Sequence, residues 1–230
     1  MSKRILFIVE GRKTESTFLK RLLSGLGITD EHRIFVFGTN IHVLYGKVFG
    51  TGDPEAIDLL GALREGAIEN ERGVLSQDFS DIYLVFDAEF QDPRFDLGHL
   101  RTMLEYFDNS TENGRLYLNY PMMESYLHLK SMNDPGYLTR TVSYDSIKDY
   151  KRIARLECCK ELSNASHYSR RLILVIVSHN YMKTYLMLGM DSRYDQESGD
   201  ISDQGQRILQ EQSDMLRDKG RIQVLNTSAF

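Results

Sequence analysis

Three stretches of this 230-residue chain carry acids at or just past an apolar run. In IVEGRKTE, Glu10 follows the apolar residues 5–9 and Glu15 lies a few positions on. In IYLVFDAEFQD, residues 82–92, the run ends in Asp87, Glu89 and Asp92. In LYLNYPMMESYL, Glu124 follows Pro121. Asp87 and Glu89 are two apart, so in extended chain they point the same way. Carboxylates that share a site repel and raise one another's pKa. A divalent cation removes that penalty, and carboxylate and water ligands suit magnesium or manganese. Taken singly, Glu10 reads as a solvated strand end, and Glu15 and Glu124 as acids that favour a helix N-terminus. The recurrence of one arrangement argues for a shared site.

Elements must position these acids. Residues 5–9 and 82–86 are unbroken apolar runs, suited to strands buried on both faces. Gly11 permits a tight turn and close approach of a ligand to the backbone. Residues 14–26 space Phe18, Leu19, Leu22, Leu23 and Leu26 as a helix, with Gly27 as its stop. Residues 33–37 and 41–48 read as strand or mixed segments, 50–54 as a loop and 54–69 as a helix. A helix over 97–107, a polar loop over 108–114, a short strand over 116–119 and a helix over 122–129 follow. The remainder reads as helices over 145–164, 167–188 and 203–218, a polar and flexible stretch over 191–205, and a last strand in RIQVLNTSAF.

Strands alternating with helices predict an α/β fold with a mainly parallel central sheet flanked by helices, followed by a mostly helical C-terminal part. The expected organisation is a core over 1–142 and an extension over 143–230 packed on it, ending in a short strand. In parallel sheets ligand crevices lie outside the carboxyl ends of strands, so Glu10 and Asp87 are expected to face one crevice.

Composition narrows the classes. Hydrophobic residues make up 41% and charged residues 27%, as in ordinary globular chains. A net charge of −5 argues against a protein that coats DNA non-specifically, but not against one that gathers carboxylates around metal ions. Cys158 and Cys159 are adjacent, so no disulfide framework or zinc site is indicated and a reducing cytoplasm is expected. The apolar run at the N-terminus is too short for a signal peptide. Residues 172–190 are interrupted by His179, Asn180 and Lys183, so no membrane span is expected.

The Val-Glu-Gly element with a further acid downstream, then an apolar strand ending in Asp87-Ala88-Glu89, resembles the Toprim domain of topoisomerases, primases and OLD-family nucleases. NYPMMESYL resembles the Asn-Pro-x-x-Glu segment of RloB-like proteins of bacterial anti-phage defence. The resemblance covers roughly residues 4 to 130. It implies a Toprim fold and magnesium-dependent phosphodiester hydrolysis. Glu10 would then be metal ligand or general acid–base, Asp87 and Glu89 the metal-binding pair, Glu124 a further ligand, and Glu15 a looser match to the second acid. The family's pair is Asp-x-Asp; here Glu89 reaches about one methylene further, and Asp92 is the alternative. The long interval from Glu10 to Asp87 implies an insertion.

Hydrolysis at two metals also wants cations near the phosphoryl group. The resemblance suggests Lys183 on a late helix, sharing a face with His179. Lys13 beside the first turn, and Arg170 and Arg171, are candidates for gripping a nucleic-acid backbone; each also reads simply as a solvated surface residue. The tyrosines, Tyr117, Tyr120, Tyr126, Tyr168, Tyr181 and Tyr185, read as packing residues rather than nucleophiles. The expected function is a metal-dependent nuclease cutting DNA or RNA as effector of a defence system, beside an ATPase partner or as a homo-oligomer. The alternative is a catalytically silent Toprim-like binding subunit of such a complex.

Overall fold

In the computed structural model, which describes residues 3–11, 13–50, 58–190 and 204–230, the two unbroken apolar runs form adjacent central strands. β1 (Arg4–Val9), β2 (Glu31–Val36), β3 (Asp81–Asp87), β4 (Asp108–Asn109) and β5 (Gly114–Asn119) build one sheet in the order β2-β1-β3-β5-β4. All pairings are parallel except that of the short edge strand β4. Ile8 stands opposite Phe35 on one side and Leu84 on the other. Leu6, Ile8, Val9 and Leu84 are fully buried, as expected when helices cover both faces.

α1 (Thr14–Leu26) connects β1 to β2. It buries Phe18, Leu19, Leu22 and Leu23 and stops at Gly27, whose φ of 76° is the left-handed conformation that glycine adopts without strain. Leu19, Leu22 and Leu23 share a space with Ile5, Phe7, Tyr83 and Tyr117, so α1 covers that face of the sheet. α2 (Ile41–Phe49), α3 (Leu59–Gly66) and α4 (Glu69–Leu75) lie between β2 and β3, and α5 (Leu97–Tyr106) follows β3. On the other face Phe86 meets Phe37, with ring centres 6.1 Å apart.

The C-terminal part is tied to this core. β6 (Thr141–Ser143) pairs antiparallel with β7 (Arg221–Gln223), so the boundary expected at 142/143 falls inside a paired strand. Between them come α6 (Tyr150–Glu157), α7 (Arg170–Leu188), which packs on α1, and α8 (Gly205–Lys219), which packs on α5. Leu225 bridges to Tyr120, the Thr227 hydroxyl donates to the Leu118 carbonyl at 2.8 Å, and the Ser228 amide donates to Asn119 Oδ1 at 3.3 Å.

Several expected elements change type. Residues 41–48 are helical, because Asn40 accepts the Val43 amide at 3.2 Å as an N-cap and Ile41, Leu44 and Val48 bury one helical face. The expected helix over 54–69 ends at Gly66 and restarts at Glu69, where Glu71 accepts the Ile68 amide; its first residues lie outside the described ones. Residues 122–129 hold only a 3-10 helix, Met123–Leu127. The expected helix over 145–164 splits into a 3-10 turn, α6 and a second 3-10 turn, because Cys159 leaves the helix to donate its amide to the Leu129 carbonyl at 2.8 Å. Only Arg221–Gln223 of the last segment is strand. Most of the stretch expected to be flexible, 191–203, lies outside the described residues. Among the described residues no helix is long and apolar enough to cross a membrane.

Candidate metal centre

Strand order explains where the acids meet. The chain leaves β1 toward β2 on one side and returns to β3 on the other. Such a reversal opens a crevice beyond the carboxyl ends of the two central strands. Glu10 is the first residue after β1 and Asp87 the last of β3. The Asp87 amide donates to Glu10 Oε2 at 3.4 Å, and Asp87 Oδ1 accepts the Met123 amide at 2.7 Å. The segment after β5 is therefore docked on the Asp87 carboxylate.

Glu89 completes the cluster. Its φ of 50° makes it the one non-glycine with positive φ among the described residues. That conformation costs roughly 1–3 kcal/mol and persists where the surroundings hold it. Here the Ala88 amide is bonded to the Asn119 carbonyl at 3.0 Å on one side, and the Asp92 amide to the Glu89 carbonyl at 2.9 Å on the other. The Gln91 side-chain amide donates to Glu89 Oε2. One carboxylate oxygen from each of Glu10, Asp87 and Glu89 lies within 4.8 Å of the others.

The electrostatics of this triad are unbalanced. Burial first, then the neighbouring Glu89, raises the Glu10 carboxyl from 4.5 to about 8. Burial first, then Glu10, raises Asp87 well above the ordinary carboxylate range. Burial raises Glu89 as well. The neighbouring charges that act most strongly on Glu10 and Asp87 are all carboxylates. Three converging hard oxygen donors with uncompensated charge fit a divalent cation, so this triad could hold a metal ion.

Two further acids border it. Glu15 is partly buried and raised in pKa, mainly by burial. Its carboxylate lies over Gly11, where an added Cβ would fall 2.8 Å and 2.9 Å from its two oxygens, so glycine leaves Glu15 its place. Glu124 is only 3% exposed. It accepts from the Thr14 hydroxyl at 3.2 Å, pairs with Lys151, and lies 3.7 Å from the Arg155 guanidinium. Asp92 points to other partners. Arg94 grips it at 2.7 Å and 2.9 Å and Asn40 donates to it at 2.6 Å, which, led by Arg94, holds its carboxyl below the usual range. Of the two residues that sequence left open, Glu89 joins the cluster.

The expected cations divide differently. Lys183 is not brought to the acids. It is 1% exposed, and its amine donates to the Tyr137 and Arg140 carbonyls at 2.8 Å and 2.6 Å and sits over the Tyr137 ring. Burial, and then Arg140, lowers its pKa well below the ordinary lysine value. His179 likewise serves the fold, with Nδ1 on the Val175 carbonyl and Nε2 accepting the Asp134 amide. Arg170 and Arg171 line a separate groove of ≈ 530 Å³ with Leu174, His179 and Met182. Lys13 stands at the start of α1, two residues before Glu15, and lines a cavity that also includes Thr14 and Arg155. Tyr120, Tyr126 and Tyr168 are buried.

Sequence reading missed Lys151 and Arg155, which stand one helical turn apart on α6 and both reach Glu124. The signal was a basic pair at helical spacing in YKRIARLE, which looks like any solvated helix face. It also missed Asn226, whose side chain donates to the Met123 carbonyl at 2.9 Å and braces the segment that carries Glu124. Compared with protein-family models, with curated proteins and with solved structures, the chain matches none.

Proposed function

We propose that this protein is a divalent-metal-dependent nuclease that hydrolyses phosphodiester bonds of DNA or RNA. The observation that carries the reading is the convergence of Glu10, Asp87 and Glu89 within 4.8 Å at the switch point of a parallel sheet. Glu10, Asp87 and Glu89 would hold one magnesium or manganese ion, with Glu15 and Glu124 the carboxylates nearest to hand for a second. Bound there, the metal supplies Lewis-acid neutralisation of charge at the phosphoryl group.

The chain's own residues supply the rest. Glu10 is placed to exchange a proton with an attacking water, since its carboxyl borders the crevice beside Asp87 and Glu89. Lys151 and Arg155 neutralise phosphate charge from the side of Glu124, taking the role that sequence gave to Lys183. Glu124 orients both cations. The Met123 amide fixes the Asp87 carboxylate toward the crevice.

A silent binding subunit is the weaker reading. Its main support was the glutamate in Asp87-Ala88-Glu89, and the Glu89 carboxylate reaches the triad despite its extra methylene. The biological setting, an effector in phage defence with an ATPase partner, rests on the resemblance of the three motifs to Toprim nucleases. The decisive test is incubation of the purified protein, alone and with the product of its neighbouring gene, with plasmid, single-stranded DNA and total RNA. Cleavage is expected in magnesium or manganese and absent with chelator. No divalent-ion binding by calorimetry at millimolar concentration would overturn the proposal.

A further inference from the structure

A cavity of ≈ 360 Å³ opens beside the acidic cluster and has no part in the metal triad. Its size lies in the range of small-ligand sites. It adjoins the cluster through two of its own lining residues, since Thr14 and Arg155 both contact Glu124. Its two ends differ in chemistry. At the rim, Lys13 pairs with no carboxylate among the described residues, and Arg155 is held to Glu124 only at 3.7 Å. Thr14 and Thr17, in the first turn of α1, line the same space. The floor is apolar and aromatic. Tyr126, Leu127, Leu162 and Tyr168 are all buried there, and the Tyr168 hydroxyl is satisfied by the Leu162 carbonyl at 2.8 Å.

We propose that this cavity binds one nucleotide of a single-stranded nucleic acid, its phosphate at Lys13, Arg155 and the start of α1 and its base against the apolar floor. The inference rests on the nuclease reading and assigns it a substrate class. A cavity of this size admits one unpaired base and not a base pair, so the strand must be single or frayed where it enters. The phosphate end lies next to Glu124 and so toward the triad, which sets the bound nucleotide beside the bond to be cut.

The test uses the full chain in chelator, so that it is independent of the metal centre. Adenosine 5′-monophosphate, adenosine and inorganic phosphate are titrated calorimetrically. Expected is binding of the nucleotide, with adenosine and phosphate each much weaker. Lys13→Ala and Arg155→Ala should each weaken it about tenfold, the value of one charge-assisted hydrogen bond. Ala165→Trp, which fills the cavity, should abolish it, and Glu10→Gln should leave it unchanged. A single-stranded oligonucleotide should displace the nucleotide and a blunt duplex of the same sequence should not. Absence of nucleotide binding in a protein that still binds magnesium overturns the cavity proposal and leaves the metal centre standing. Phosphate binding as tightly as the nucleotide, or equal displacement by duplex, also overturns it. Nucleotide binding without cleavage of any substrate instead overturns the nuclease reading alone.

Discussion

The backbone N–H of Asp87 donates to Oε2 of Glu10 at 3.4 Å, joining the acids at the ends of two neighbouring strands. Parallel pairing of β1 with β3 makes this contact, and the reversal of strand order keeps the space beyond it open. A fold that merely ended its strands in solvent would let these carboxylates diverge. Here they converge: burial and then Glu10 raise the pKa of Asp87, and burial and then Glu89 raise that of Glu10.

The first prediction concerns neutral isosteres. Glu10→Gln and Asp87→Asn keep shape, and the side-chain amide introduced by Asp87→Asn would retain an oxygen for the Met123 N–H. Each is expected to cut cleavage at least about 100-fold, the scale on which a positioned acid–base group acts. Without metal, each should leave Tm nearly unchanged near pH 7 and raise it at alkaline pH, where a repelling buried charge is removed. Melting curves and cleavage assays on the same samples check this. A lower Tm in both variants would mean that the pair serves the fold.

The second is a pH dependence. Glu10 has its pKa raised from 4.5 to about 8 on folding, so between those values the native state holds a proton that the unfolded chain has lost. Stability of the metal-free protein must therefore fall as pH rises through that window. A loss of roughly 5 °C in Tm between pH 5 and pH 8.5 is expected, since about 1–2 kcal/mol moves a domain of this size by that much. Magnesium should restore it at the alkaline end and do little at pH 5, where protons compete for the ligands. Glu10→Gln should flatten the profile.

How much of this was legible in the sequence follows from the range of each interaction. β1 and β3 declared themselves because a strand buried on both faces must be apolar throughout, and α1 because its apolar spacing and Gly27 are local signals. Glu10, Asp87 and Glu89 were legible for the same reason, since each sits at or just past a strand end. Residues 41–48 were not, because IHVLYGKV carries β-branched residues at spacings that suit either period, and Asn40 decides the matter by capping. Lys183 misled because its partners, the carbonyls of Tyr137 and Arg140, lie more than forty residues away and carry no side-chain signature. Lys151 and Arg155 were hidden because only tertiary structure brings α6 against Glu124.

The third prediction separates Glu89 from Asp92. Glu89→Gln removes one charge from the triad and should weaken divalent-ion binding about tenfold or more. Asp92→Asn should leave that binding nearly unchanged. It should instead lower Tm, because it weakens the bonds from Arg94 and Asn40 that hold the turn after Glu89. Metal titration and thermal melting of both variants read the two effects. Loss of metal binding in Asp92→Asn alone would return the third ligand to Asp92.

The fourth sets two lysines against each other. Lys183 is buried and its amine donates to the Tyr137 and Arg140 carbonyls, so Lys183→Met, which removes both bonds, should cost about 2–4 kcal/mol in stability. It should leave divalent-ion affinity and the residual specific activity of the folded fraction unchanged. Lys151 is half exposed and its pair with Glu124 is open to water on one side, so Lys151→Met should cost at most about 1 kcal/mol. Its effect should fall on cleavage, by about tenfold or more, because a phosphate charge near Glu124 loses its cation. Lys151→Arg should recover part of that loss. Denaturant melts and single-turnover cleavage, run side by side, distinguish the two residues. A Lys183→Met protein that is fully stable and inactive would reverse the assignment and put the catalytic cation back on α7.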